Sequence, residues 1–234
     1  MTRTYSPLVN QVADNLLRQI ADRTTAPVAY QSAMLNLGYV LGDALLTQIE
    51  PNPDKVCLAT TVEDADFLAQ GILERLEARL GSVAFACFSN HRTTPFGVDA
   101  LATAPILKQY QEPADDIDVL IIVKSIISGA CVVKTNLRHL IQKIQPAKIL
   151  IAAPVMYEKA EASLRREFEP AITDKFQFFY LAQDSDRTPE GEVIPGIGGM
   201  IYDRLGFDGQ AAKNEYVPKI VKARRARFQH SVVD

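Results

Sequence analysis

Hydrophobic positions along this chain follow two rhythms that alternate. Uninterrupted apolar runs lie at 56–59, 83–88, 119–123, 149–153 and 176–182. Elsewhere apolar residues recur every three or four positions: Phe67, Ile72, Leu76 and Leu80 within 66–80, and Val133, Leu137, Leu140 and Ile144 within 132–144. The first rhythm suits strands buried on both faces; the second suits helices that bury one side. Ahead of the runs, Ser6-Pro7 reads as a helix start with proline at the first helical position, followed by a face of Val9, Val12, Leu16 and Ile20. A second helix is expected over 30–49, closed by Pro51 and Pro53. The segment 90–97, with Arg92, Thr93, Thr94 and Pro95, reads as a loop between a strand and a helix. Such alternation predicts an α/β fold, a doubly wound parallel sheet of about five strands preceded by N-terminal helices.

Composition narrows the class of protein. Of 234 residues 47% are apolar and 23% charged, which suits a globular chain with a full core. A net charge of -3 gives no global attraction to nucleic acid or to an acidic membrane. No apolar run approaches the ~18 residues that span a bilayer, and the first residues lack the apolar stretch of a secretory signal. Cys57, Cys87 and Cys131 are odd in number and lie in apolar surroundings, as expected of reduced, buried thiols in a cytoplasmic protein. His91, His139 and His230 lack metal-ligand spacing, so no metal site is assigned. From Asp208 onward the chain turns basic, with Lys213, Lys219, Lys222, Arg224, Arg225 and Arg227 against Glu215. Residues 208–234 therefore read as an extension to a domain over 1–207. It is either an exposed or frayed helix, or a surface for a phosphate-rich partner such as nucleic acid.

The most distinctive stretch is Glu192-Val193-Ile194-Pro195-Gly196-Ile197-Gly198-Gly199, followed by Tyr202-Asp203-Arg204-Leu205. Its glycines let main chain approach a ligand closely. The stretch resembles the base-binding segment of uracil phosphoribosyltransferases, which have the type I phosphoribosyltransferase fold. Ala152-Ala153-Pro154, Ala182-Gln183-Asp184 and Gln70-Gly71-Ile72-Leu73-Glu74 add to the resemblance, which spans roughly 56–205. It implies a small base-binding hood over the sheet, backbone contacts to a base at Val193 and Gly198, and a homo-oligomer. An active member would join uracil to phosphoribosyl pyrophosphate with Mg2+, giving UMP and pyrophosphate.

The donor half departs from that pattern. The family's phosphate turn falls on Ser128-Gly129-Ala130-Cys131, whose small residues leave backbone N–H groups and the Ser128 hydroxyl for a phosphate. The acidic pair that should hold the ribose falls on Val123-Lys124 or Lys124-Ser125, with no carboxylate in either register. The arginine-bearing pyrophosphate loop falls on Glu63-Asp64-Ala65-Asp66-Phe67, and the closing aspartate of the base segment becomes Gly199. Lys124 is expected to meet pyrophosphate, or to point to solvent or pair with Asp115, Asp116 or Asp118. Glu63, Asp64 and Asp66 read as the acids of a helix start complementing its dipole, or as ligands of a divalent metal. Each charge-assisted hydrogen bond lost costs roughly 1.5–3 kcal/mol, and about 1.4 kcal/mol is tenfold in rate. The resemblance therefore implies a divergent member that is no standard salvage enzyme, acting as a nucleobase- or nucleotide-binding or structural subunit. The alternative is an active transferase in which Lys124 and the acids take new roles; no catalytic residue is assigned in either case.

Overall fold

The computed structural model describes residues 2–50, 55–97, 102–113, 116–188 and 191–230. Strand β1 (Arg3–Tyr5) is followed by helices α1 (Gln11–Ala21) and α2 (Pro27–Leu46). Next come β2 (Val56–Thr61), α3 (Val62–Asp64), α4 (Gln70–Leu80), β3 (Ala84–Asn90), β4 (Ile106–Gln111), β5 (Val119–Val123) and β6 (Ile126–Ile127). They lead to α5 (Cys131–Ile141), β7 (Lys148–Tyr157), α6 (Ala160–Arg165), α7 (Pro170–Thr173) and β8 (Phe176–Asp184). A hairpin of β9 (Asp186–Arg187) and β10 (Val193–Ile194) precedes α8 (Ile201–Arg204), α9 (Gly209–Glu215) and α10 (Lys219–His230).

Strands β3, β2, β5, β7 and β8 lie side by side in that order, all parallel. Antiparallel β4 and β1 flank them, and β6 pairs with β7 off the main path, so the sheet has eight strands where about five were expected. The additional strands escape a search for apolar runs because they are short or half-exposed. Alternation within each buried strand divides the side chains between two cores. Val119, Ile121 and Val123 of β5 pack with Leu37 and Leu41 of α2 and with Ile72 and Leu76 of α4. Leu120 and Ile122 pack on the other face with Leu137 and Leu140 of α5 and Leu164 of α6. From β2 the chain steps to β3 on one side and then crosses to β5 on the other. The carboxyl ends of β2 and β5 therefore flank the crevice where such sheets take their ligands.

The N-terminal expectations are corrected in part. Helix α1 starts at Gln11, not at Pro7, because the side chain of Asn10 caps it by accepting from the Ala13 N–H at 2.9 Å. Its buried face is Ala13, Leu17 and Ile20, while Val12 is 63% exposed. Helix α2 spans Pro27–Leu46, earlier at both ends than the 30–49 expected, and Pro51 and Pro53 lie outside the described residues.

The basic C-terminal segment is docked as far as Arg224. Lys213 is buried and donates to the Asn90 carbonyl at 2.5 Å. Arg224 is buried too, with Nε 2.8 Å from Glu112 Oε1, Nη1 2.7 Å from Glu77 Oε1 and Nη2 2.5 Å from the Val83 carbonyl. Asp66 accepts from the Tyr216 hydroxyl and, at 2.9 Å each, from the Lys219 and Ile220 N–H groups that open α10.

Helices α2 and α4 meet backbone to backbone. A Cβ on Gly38 would sit 2.4 Å from the Leu68 carbonyl oxygen, and one on Gly71 2.2 Å from that of Leu35. Gly71→Ala is therefore expected to cost about 1–3 kcal/mol despite alanine's better helix propensity. Urea unfolding measures this as a lowered midpoint at unchanged slope; an unchanged midpoint would mean the helices separate freely.

Candidate functional site: a buried ion cluster in the sheet crevice

Strand β2 ends at Thr61 and runs into α3, then a π-helical turn over Ala65–Ala69, before α4 begins. The geometry delivers Glu63 and Asp64 to the mouth of the crevice. Across it, β5 ends at Val123, and the Lys124 N–H is held by the Ala152 carbonyl at 3.0 Å. The Lys124 ammonium lies 2.6 Å from Asp64 Oδ2, 3.0 Å from Glu63 Oε1 and 3.1 Å from Thr61 Oγ1. Thr61 in turn donates to Asp64 Oδ2 at 3.0 Å. All four residues are buried: Lys124 is 9% exposed, Glu63 7%, and Asp64 and Thr61 1% each.

Burial alone would push the Lys124 amine down, but the Asp64 and Glu63 carboxylates outweigh it and hold the amine above its ordinary value. Burial would likewise push Glu63 up, yet Lys124, with a smaller contribution from Lys213, holds it below the ordinary carboxyl value. Lys213, stacked 5.3 Å over the Tyr202 ring, is itself lowered by burial. Burial and, next, the Glu63 charge push the Tyr202 phenol up to about 12.

Beside the cluster, Thr60, Thr61, Ile122, Lys124, Val133 and Asn136 line a cavity of about 10 Å³, room for roughly one water. Asn136 is not free for a ligand, since it exchanges amide hydrogen bonds of 2.8 and 3.0 Å with Asn90.

These positions correct the sequence expectation for Lys124, which neither points to solvent nor pairs with the aspartates close to it in sequence. Asp118 pairs with Lys55 at 3.0 Å, Asp116 is exposed, and Asp115 lies outside the described residues. The reason is parallel pairing of β2 with β5, which sets residues 61–64 beside a lysine 60 positions away from Asp64. The helix-start reading of Glu63 and Asp64 is met, since both stand in the first turn of α3, but they are spent on Lys124. Asp66 points elsewhere and caps α10.

Ser128, Gly129 and Ala130 form the turn from β6 into the eleven-residue α5, which begins at Cys131 and has no side-chain cap. The guanidinium of Arg187 in β9 lies 4.0 Å from where a Cβ on Gly129 would stand. It also donates to the Gly191 carbonyl at 3.1 Å. Cys131 is half-buried, whereas Cys57 and Cys87 are buried. Val193 is buried in β10 and pairs with Arg187. Gly198 has φ 85, and a Cβ there would sit 2.4 Å from the Ile20 carbonyl oxygen, so this glycine is required for the loop to lie on the end of α1. The turn and the loop are neighbours: Ile126 Cδ1 is 3.6 Å from where a Cβ on Gly196 would stand.

Sequence reasoning missed the residues that brace this loop. Arg3 donates twice to Asp184 at 2.7 Å and once to the Gly196 carbonyl at 2.6 Å, while Asp184 accepts the Gly196 N–H at 2.9 Å. Arg204, from the Asp-Arg-Leu run, donates to the Arg23 and Asp22 carbonyls at 2.7 Å each and lies 4.6 Å over the Tyr30 ring. It closes the carbonyl end of α1. The quoted motifs contain Asp184 and Arg204, but nothing in the sequence marks Arg3 or Tyr30.

No protein-family model and no curated protein matches this chain. Among solved structures, the AQ2163 protein from Aquifex aeolicus is similar over 87% of this chain and 98% of its own, with a TM-score of 0.67 at 14% identity. A hypothetical protein from Neisseria gonorrhoeae with bound ppGpp aligns over 78% of this chain and 92% of its own, at TM-score 0.42 and 11% identity. A hypoxanthine phosphoribosyltransferase from Staphylococcus aureus aligns over 66% and 74%, at TM-score 0.41 and 12% identity. At these identities likeness concerns the fold alone, and of the three the Aquifex protein shares it. The fold is that of a doubly wound α/β protein, with Lys124, Glu63 and Asp64 paired at the crevice between β2 and β5.

Lys124→Met leaves Glu63 and Asp64 buried without their cation, with an expected cost of about 3–5 kcal/mol at pH 7. In the wild type the depressed Glu63 contributes stability above the unfolded carboxyl value, about 4.3. That contribution is lost as pH falls through the lower folded value. In the variant Glu63, buried without its cation, neutralises on acidification, so the gap from wild type should narrow between pH 7 and pH 4. Urea titrations at both pH values check this; a gap that stays constant would remove charge pairing as the cause.

Proposed function

We propose that this chain is a phosphoribosyltransferase-like protein that binds a nucleotide or its base and does not make nucleotide from phosphoribosyl pyrophosphate. The observation that carries this reading is the Lys124–Glu63–Asp64 cluster in the crevice. Donor hydroxyls there would meet an engaged ammonium where carboxylate acceptors are needed, and a pyrophosphate would meet two carboxylates. Mg2+ does not fit this arrangement, because a cation on the remaining oxygens of Glu63 and Asp64 would stand against an ammonium already 2.6 Å from Asp64. Among the described residues no group of three or more His, Cys, Asp or Glu is placed to hold a metal. Transfer depends on aligning the donor and neutralising its leaving group, and this site supports neither.

A nucleoside monophosphate asks for less. The turn of small residues at Ser128, Gly129, Ala130 and Cys131, which opens a helix with no side-chain cap and has Arg187 beside it, suits a phosphate. The braced loop carrying Val193 and Gly198 suits the edge of a planar base.

Calorimetric titration with UMP, uracil and phosphoribosyl pyrophosphate plus Mg2+ tests the reading. UMP, or uracil more weakly, should bind and raise the melting temperature, while the donor gives no heat and no pyrophosphate is released. Pyrophosphate release abolished by Ser128→Ala or Gly129→Val would establish a transferase instead. Silence toward all three would remove ligand binding and leave a structural subunit.

A further inference from the structure

Helix α10, Lys-Ile-Val-Lys-Ala-Arg-Arg-Ala-Arg-Phe-Gln-His, carries no acidic residue. Its inward cation, Arg224, is consumed by Glu77, Glu112 and the Val83 carbonyl, and Asp66 holds its first N–H groups. Val221 packs into the core beneath it, so the helix is fixed in one pose. Of the four exposed cations described on this helix, Arg227 has an interaction of its own, and the others are Lys219, Lys222 and Arg225. Each stands three residues after the last, so they form a row about 9 Å long on neighbouring sides of the helix.

Among the described residues no carboxylate forms an ion pair with any of the three, and the exposed Glu215 in α9 is no exception. Unpaired like charges at this spacing repel one another. The chain as a whole is acidic by three charges, so this row of cations stands out against its overall charge.

We propose that the outer row of α10 is a docking surface for the phosphate backbone of a nucleic acid. Charge complementarity selects a polyanion, and the spacing lets three side chains reach consecutive phosphates of one strand. A lipid surface fits less well, because the exposed uncharged residues described on this helix are Ala223 and Ala226, and neither is a large apolar side chain that would enter a bilayer. Three contacts on a single strand predict a slope of about −2 in log K against log salt.

The test is fluorescence anisotropy of the full chain with a labelled RNA single strand, between about 50 and 200 mM salt. The expected result is binding with that slope. Lys222→Glu with Arg225→Glu should weaken it at least about tenfold and bring the slope to about −0.7, one contact's worth. Lys143→Glu, just beyond α5 on the other face of the sheet, should leave both unchanged. Should the double reversal unfold, Lys219→Gln with Lys222→Gln keeps the surface neutral and should weaken binding several-fold. The proposal is overturned by absence of binding at the lowest salt, by variants that bind like the wild type, or by equal affinity for polyglutamate or phosphatidylserine vesicles.

Discussion

One ammonium group ties together the two strand ends between which the order of this sheet reverses. Lys124 reaches from the end of β5 to Glu63 and Asp64 beyond the end of β2, in surroundings that exclude most water. Removing three charges from water is costly, and apolar side chains of similar size often serve stability as well. The cluster's larger consequence is geometric: it closes the place where doubly wound sheets open to ligands. The same short segment continues to Asp66, which holds the start of α10. Crevice closure and docking of the C-terminal helix thus depend on a single turn of chain.

The other half of the crevice is built differently. The loop after β10 is held from outside by Arg3 and Asp184, and its follow-on helix by Arg204 against the carbonyl end of α1. Its glycines answer to packing as much as to any ligand, since Gly198 touches the Ile20 carbonyl and Gly196 lies over Val193. A glycine-rich loop of this kind has two physical reasons to exist, and the packing reason alone would preserve its shape. One side of the crevice is thus a loop held by packing and bracing, and the other an ion cluster.

Much of the sheet was legible in advance. The apolar runs became β2, β3, β5, β7 and β8, because strands covered on both faces must be apolar throughout. The edge strands β1 and β4 were not legible, since an edge strand with one wet face carries no such run. Ser6-Pro7 offers a helix start by pattern, but Asn10 supplies the side-chain acceptor that the start of α1 needs. The C-terminal cations looked alike in the sequence, yet Lys213 and Arg224 are buried while Lys219, Lys222 and Arg225 face water.

The sequence by itself determined the alternation of strands and helices and the absence of carboxylates from 123–125, because both are properties of residues in local order. Only the tertiary structure decided where the charges went. Coulomb attraction depends on distance through space, and the pairing of β2 with β5 brought Lys124 to acids that its own neighbourhood in the chain did not contain.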